Sequence, residues 1–294
     1  MNKFIKILIL IAVLVGLGLL FWQIPSNQKV ESEAKVAATI FPIYDITKNI
    51  VGNEMDVALI LPPGASPHTY EPTPSDVQSL SNVEVVYAVS YEFDGWANSI
   101  AQSNDAKIVL LDSSIELMLS HDTDKIDDAD PHYWLTIANA QQIAMTITID
   151  LSRRYPESAN NFAKNLSDYS QELAATDEQI RSVLNSVPNK NLITMHNAWY
   201  YFAQEYGLNV AGAFEPTAGR EPTPQYLIEL IDAIKSAEVK TLYSEPQLDN
   251  APLESFIKDN NLTLAILDPI GGVEGRQSYI QLMLYNAQTI AQNQ

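Results

Sequence analysis

The chain has 294 residues, 46% hydrophobic and 18% charged, a balance that excludes an intrinsically disordered protein and suffices for two domains or one large one. A formal net charge of -19 repels polyanions, which excludes DNA and RNA as partners. The absence of cysteine removes disulfides, thiolate metal sites and lipid attachment through an N-terminal cysteine.

Lys3 and Lys6 precede an apolar run over 7–22, which Gln23, Pro25, Ser26 and Asn27 break. A positive stretch followed by an apolar one is the pattern of a secretory signal. The run is long for a cleaved signal and short for a standard spanning helix. Phe21, Trp22 and Gln23 stand where a small-x-small cleavage site belongs. We therefore expect an uncleaved signal-anchor, positive end in the cytoplasm, with the remaining chain extracytoplasmic, in the periplasm or at the cell surface. Polar residues over 25–33 read as a linker, so 1–34 are assigned to anchor and linker.

Beyond the linker the pattern alternates. Strands are expected over 36–40, 57–61, 83–89 and 107–111, and helices over 44–51, 74–80 and 93–103, with Thr73 as an N-cap. A second series has strands over 191–195, 209–214, 241–244 and 264–267, with helices over 198–206, 224–237, 251–260 and 278–291. Such alternation implies parallel sheets covered by helices on both faces. Between the series, 139–155 has apolar residues at helical spacing. From Pro156, the residues Phe162, Leu166, Tyr169, Leu173, Ile180 and Leu184 recur every three, four or seven positions. A helix over 156–187 would be about 50 Å long at about 1.5 Å per residue, the natural connector between two α/β lobes. The expected division is thus 35–155 for the N-terminal lobe, 156–187 for the connecting helix and 188–294 for the C-terminal lobe.

The chain has four histidines, His68, His121, His132 and His196. Three of them, His68, His132 and His196, lie in loops or just beyond strands. Ligands of open parallel sheets bind there, beyond the carboxyl ends of the strands. Imidazole is a common neutral ligand for zinc, and three of them leave a dication uncompensated. A carboxylate would improve the charge balance and complete a four-coordinate site. Asp268, at the end of a strand and before Pro269-Ile270-Gly271-Gly272, is the first candidate, and Glu245, ending the strand over 241–244, is the second. Alone, each residue reads as loop decoration, a helix cap or a turn former.

Five motifs occur in order: Gly64-Ala65-Ser66-Pro67-His68-Thr69-Tyr70-Glu71-Pro72-Thr73-Pro74-Ser75-Asp76, Asp130-Pro131-His132-Tyr133-Trp134-Leu135, Met195-His196-Asn197-Ala198-Trp199-Tyr200-Tyr201-Phe202, Ser244-Glu245-Pro246-Gln247 and Leu267-Asp268-Pro269-Ile270-Gly271. From Val36 to the C-terminus the chain resembles the zinc/manganese solute-binding proteins of metal ABC importers, the zinc-uptake and treponemal-type receptors. The resemblance implies two Rossmann-like lobes with parallel sheets joined by a long rigid helix, with the metal site in the inter-lobe cleft. It implies His68 and His132 as ligands from the first lobe and His196 and Asp268 from the second. It implies an ABC permease as partner and a divalent cation as cargo, on a chain expected to be monomeric. Manganese members of the family have a carboxylate where this chain has His196, and nitrogen ligands suit zinc better than manganese. Zn(II) is the expected cargo and Mn(II) the alternative.

Two departures stand out. Zinc members with a His-rich loop before the second histidine contrast with this chain, where 120–130 is mainly acidic, with His121, Asp122, Asp124, Asp127, Asp128 and Asp130. This segment reads as a solvated loop. The other departure is the missing cysteine. Glu71 is a candidate for orienting His68 or for shaping a turn, Tyr70 and Trp134 for packing, and Arg220 and Glu221 for lining the cleft. A zinc hydrolase is disfavoured because four protein ligands close the site and no HExxH or Gly-x-Ser-x-Gly motif occurs. The chain is therefore read as a receptor and not an enzyme, with a surface adhesin on the same fold as a further reading.

Overall fold

Two four-stranded sheets, all parallel, organise the chain in the order in which the alternating pattern predicts them. The computed structural model describes residues 33–120, 128–217 and 219–294. The apolar run over 7–22, His121 and most of the acidic segment lie outside them. No helix among the described residues is long and apolar enough to cross a membrane.

The first sheet is built from β1 (Val36–Ala38), β2 (Val57–Leu59), β3 (Val85–Ala88) and β4 (Lys107–Leu110), in spatial order β2-β1-β3-β4. Its helices are α1 (Phe41–Val51), α2 (Pro74–Ser79), α3 (Tyr91–Asp94) and α4 (Ala97–Ser103). Thr73 caps α2 as expected: its hydroxyl accepts from Asp76 N, and the Asp76 carboxylate accepts from Thr73 N at 2.9 Å. The single helix expected over 93–103 is instead two. At Gly95 a Cβ would lie 2.3 Å from the Tyr91 carbonyl oxygen, so the chain closes tightly there between α3 and α4.

The second sheet is built from β5 (Asn191–His196), β6 (Asn209–Glu215), β7 (Thr241–Ser244) and β8 (Thr263–Ile266), in spatial order β6-β5-β7-β8. In both sheets the strand order reverses direction once, between β1 and β3 and between β5 and β7. Such a reversal leaves a crevice at the carboxyl ends of the two strands, where loops diverge.

Between the sheets, α5 (Ile137–Arg154) and α6 (Ala159–Asn185) form a helical hairpin. Pro156 opens a 3-10 turn over Pro156–Ser158, so the α-helix begins three residues later than the periodicity predicts. Its 27 residues span about 40 Å at about 1.5 Å each. The apolar stripe behaves as read: Phe162, Tyr169, Leu173, Ile180 and Leu184 are all buried. Beyond β5 lie α7 (Tyr200–Tyr206), α8 (Pro224–Ser236), α9 (Leu253–Asp259) and α10 (Tyr279–Gln292). The connecting helix α6 packs against α1 and α5 on one side and α7 and α10 on the other. The largest apolar cluster accordingly runs from Val36 and Ile43 through Phe162 and Leu173 to Tyr243, Leu267 and Met283. The core is continuous across the two lobes.

Candidate metal centre

His196 is the last residue of β5, at the switch point of the second sheet, and it is buried. Its Nδ1 lies 2.7 Å from Glu245 Oε1, and Glu245 follows β7, the strand on the other side of the same switch point. The Trp199 indole donates to the same carboxylate oxygen at 3.2 Å. Glu245 is therefore the residue that orients His196. Burial pulls the imidazole pKa down, but the Glu245 charge and hydrogen bond outweigh it, and the pKa ends above its ordinary value.

His132 stands at the start of the 3-10 turn Tyr133–Leu135. Asp130 Oδ1 accepts from His132 N at 3.0 Å and lies 2.8 Å from its Nδ1. The turn is anchored on three sides. The Tyr133 hydroxyl donates to Val89 O beyond β3, Trp134 Nε1 donates to Pro269 O at 2.8 Å, and the Tyr279 hydroxyl donates to Trp134 O at 2.7 Å. Two of these three partners belong to the second lobe.

His68 comes from the loop after β2, which turns at Gly64 with φ of 82°. Trp96 Nε1 donates to Pro67 O at 3.1 Å, and the imidazole meets the Phe93 ring edge-on at 5.0 Å between centroids. Unlike the other two, His68 is exposed.

The three rings face one another with centroids 5.2 to 5.6 Å apart, and one nitrogen from each falls within 4.8 Å of the others. They line a cleft of about 200 Å³ together with Glu92, Phe93 and Asn197. The His132 and His196 Nε2 atoms are 3.4 Å apart. With carboxylates on both Nδ1 atoms, Nδ1 carries the proton and the two Nε2 lone pairs point into the same space. At this spacing the two nitrogens can share a cation, either a proton or a metal ion. Zn–N bonds of about 2.0–2.1 Å in a tetrahedral site hold neighbouring nitrogens about 3.3–3.4 Å apart, which is the spacing found between His132 and His196, while the whole set lies within 4.8 Å. Glu215, buried at the end of β6, adds negative charge behind His196. It accepts from Gly219 N at 2.8 Å, and burial holds its pKa above the ordinary carboxylate value.

Asp268 stands apart from this group. It is fully buried, and its Oδ1 accepts from Ile270 N and Gly271 N at 2.9 Å each and from the Gln247 side-chain amide at 2.8 Å. Its Oδ2 faces Arg276 Nε at 3.3 Å. Pro269 and Ile270, next in sequence, and Gln247 line a small pocket shared with the three imidazoles. The structure thus brings His68, His132 and His196 within 4.8 Å of one another, and the first-choice carboxylate is not in that group. Glu245, the second choice, is placed as a hydrogen-bond partner of His196.

Glu71, Arg220 and Glu221 are exposed, and Tyr70 packs its ring against Trp96 at 4.8 Å. Trp134 is fully buried, yet its indole also ties two site loops together. The roles of Asp130, Glu215, Gln247 and Arg276 are evident only in the folded chain. Asp130, in Asp-Pro-His, and Gln247, two residues after Glu245, lie within quoted motifs. For Glu215 and Arg276 no sequence signal existed.

Residues 36–293 match the model of the family described as "Zinc-uptake complex component A periplasmic". The chain belongs to this family. It is similar to the zinc-binding protein AdcA of Streptococcus pyogenes, 26% identical over 92% of this chain and 58% of AdcA, so it spans little more than half the length of that relative. It is also similar to the metal ABC transporter substrate-binding lipoprotein ScbA of Streptococcus cristatus, 28% identical over 99% of both chains. The manganese ABC transporter substrate-binding lipoprotein PsaA of Streptococcus mitis is 28% identical over 98% of this chain and 96% of its own. Among solved structures, a zinc-bound deletion mutant of ZnuA superposes with a TM-score of 0.79 at 25% identity, over 88% of this chain and 96% of that one. The two-lobed fold and the family expected from the motifs are both found.

Proposed function

We propose that this chain captures Zn(II) outside the cytoplasm and delivers it to an ABC permease, with His68, His132 and His196 as nitrogen ligands and Asp268 as the carboxylate. The observation that carries this reading is the convergence of three imidazole nitrogens from three separate loops within 4.8 Å. Two of those imidazoles are backed by carboxylates, the arrangement that fixes the tautomer and raises ligand basicity in metal sites. Family membership and the names of the full-length relatives support the transport role. For Asp268 to ligate, its carboxylate must give up Arg276 and exchange its Oδ1 donors. The apolar run over 7–22 serves as the anchor in place of a lipid on cysteine, and the chain acts as a monomer. Mn(II) is the second reading, favoured by the manganese relative at 28% identity. It is weakened by the nitrogen-rich ligand set, since manganese prefers oxygen.

Metal analysis of protein purified without added metal tests the reading: about one zinc per chain is expected. Replacement of His132 by alanine should abolish tight binding, and wild-type affinity in that variant refutes the assignment. Membrane fractionation tests the anchor, and a mature N-terminus between Gln23 and Glu33 refutes it.

A further inference from the structure

Arg276 is placed unusually for a residue on a loop of a binding protein. Its side chain is 15% exposed and faces a fully buried carboxylate. Yet the pair is badly aligned. Among the described residues, Asp268 Oδ2, Arg276 Nε and Arg276 Nη1 are buried without a hydrogen-bond partner. The two charges attract across 3.3 Å without a directional bond to lock them. Each also has a second hold that does not depend on the other. Asp268 keeps three donors on Oδ1. The Arg276 guanidinium lies 4.5 Å from the centroid of the Tyr285 ring, a cation–π position. Its backbone is fixed as well: Arg276 N donates to Val273 O and Arg276 O accepts from Gly272 N, both at 2.9 Å. Oδ1 and Oδ2 move together, so Oδ2 leaves Arg276 only as the carboxylate exchanges its Oδ1 donors, while the Arg276 side chain and backbone keep their own holds.

We propose that Arg276 and the bound metal compete for Asp268 Oδ2, so that Arg276 is a positioning residue that sets how fast the metal leaves. This rests on the reading of Asp268 as the fourth ligand. In the metal-free site the guanidinium balances the buried carboxylate. On binding, the carboxylate turns toward the metal and exchanges its Oδ1 donors, and Arg276 stays on Tyr285. On release, the waiting guanidinium takes the carboxylate back and lowers the barrier to loss of the ion. A receptor must give up its cargo, and a counter-ion poised beside one ligand makes a tight site releasable.

The test measures zinc release from the full-length, zinc-loaded chain into excess chelator by stopped flow. Four proteins are compared: wild type, Arg276→Met, Asp268→Asn and the double variant. Arg276→Met should slow release about tenfold, within the usual range of linked equilibria. Asp268→Asn should speed release, and adding Arg276→Met to it should change the rate by less than about twofold, since a cycle isolates the coupling. The melting-temperature gain on zinc binding should be larger in Arg276→Met than in wild type, whereas a purely structural role would lower the loaded and metal-free melts together. If Arg276→Met does not fold, Arg276→Lys takes its place and should show a smaller slowing. Release at or above the wild-type rate in the Arg276 variant, with Asp268→Asn still faster than wild type, overturns the proposal and leaves the ligand set standing. A wild-type rate in Asp268→Asn overturns the ligand reading and the proposal together. Equal slowing by Arg276→Met with and without Asp268 shows that the effect does not run through this carboxylate, and also overturns it.

Discussion

The loop that carries His68 and the loop that carries Asp268 face the same cleft and are built in opposite ways. The first is exposed at Pro62, Pro63, Gly64, His68 and Thr69, turns on Pro62-Pro63-Gly64 and accepts a side-chain bond from Trp96 at Pro67 O. The second is buried from Leu267 to Gly271 and is held by Gln247, Arg276, Asn286 and Trp134. Gly272 adds a steric constraint, since its φ is 78° and a Cβ would lie 3.0 Å from the Phe41 ring. A ligand on the exposed loop can meet an ion arriving from solvent. A ligand on the pinned loop moves only by changing partners inside the protein. The contrast suggests that capture is governed from the first lobe and release from the second.

The largest effects should separate the three histidines from every other polar residue. His132→Ala and His196→Ala should each weaken zinc binding by about 100-fold or more, the loss expected when one of four ligands shares a binding energy of about 10–16 kcal/mol. His68→Ala should cost less than either, because an exposed position admits a water ligand in its place. Isothermal titration with a competing chelator checks the order. A larger loss at His68 than at His132 would break the comparison of exposed and pinned ligands.

The next effects are those of the buttresses. Glu245→Gln and Asp130→Asn keep the size of each side chain and remove the charge that orients an imidazole. Each should lower zinc affinity about 10- to 100-fold. Both carboxylates stand in motifs that were legible in the sequence, but their roles were not. Glu245 reads as a ligand candidate because it ends a strand beside the cleft. Only the pairing of β5 with β7 shows that it reaches Nδ1 of His196 first. Asp130 lies two residues before His132, where Asp-Pro reads equally well as a turn. The strands and the connecting helix were legible because hydrophobic period is a local signal, and the three histidines because strand-end position was joined by the resemblance of the motifs to the family. The buried hydrogen-bonded placement of Asp268 was not. It depends on Gln247 and Arg276, whose side chains meet it only through the packing of separate loops.

Acid should act in opposite directions on the metal-free and the loaded protein. In the metal-free site, the Glu245 contact outweighs burial and raises the His196 pKa above 6.5. A group whose folded pKa is raised adds stability that is fully present below its unfolded pKa and is lost as pH rises through the folded value. Zinc requires the same imidazole without its proton, so the stability conferred by zinc falls as pH falls. The melting-temperature difference between loaded and metal-free protein should therefore shrink steadily from about pH 8 to about pH 5, starting above the ordinary histidine value. A difference that stays constant over that interval would remove His196 from the site.

The smallest effect, and the sharpest test of the two loops, compares their tryptophans. Trp134 Nε1 donates to Pro269 O at 2.8 Å in a fully buried setting, and Trp96 Nε1 donates to Pro67 O at 3.1 Å in a partly buried one. Phenylalanine at either position keeps an aromatic ring and deletes the N–H. At 134 it retains the contacts with Phe93 and His132, whose ring centroids lie 5.2 and 5.4 Å from the indole. It leaves the Pro269 carbonyl without its buried donor, which costs about 1–3 kcal/mol. At about 2–4 °C per kcal/mol for a chain of this size, the melt should fall by several degrees. At 96, water can replace the lost donor, and the fall should stay within about 2 °C. Zinc affinity should follow the same order. Trp134→Phe should weaken it a few-fold, because the tie between the His132 turn and the Asp268 loop crosses the lobes, while Trp96→Phe should leave it near wild type. Equal losses in the two variants would mean that the Asp268 loop is no more pinned than the His68 loop, and that release is not set from the second lobe.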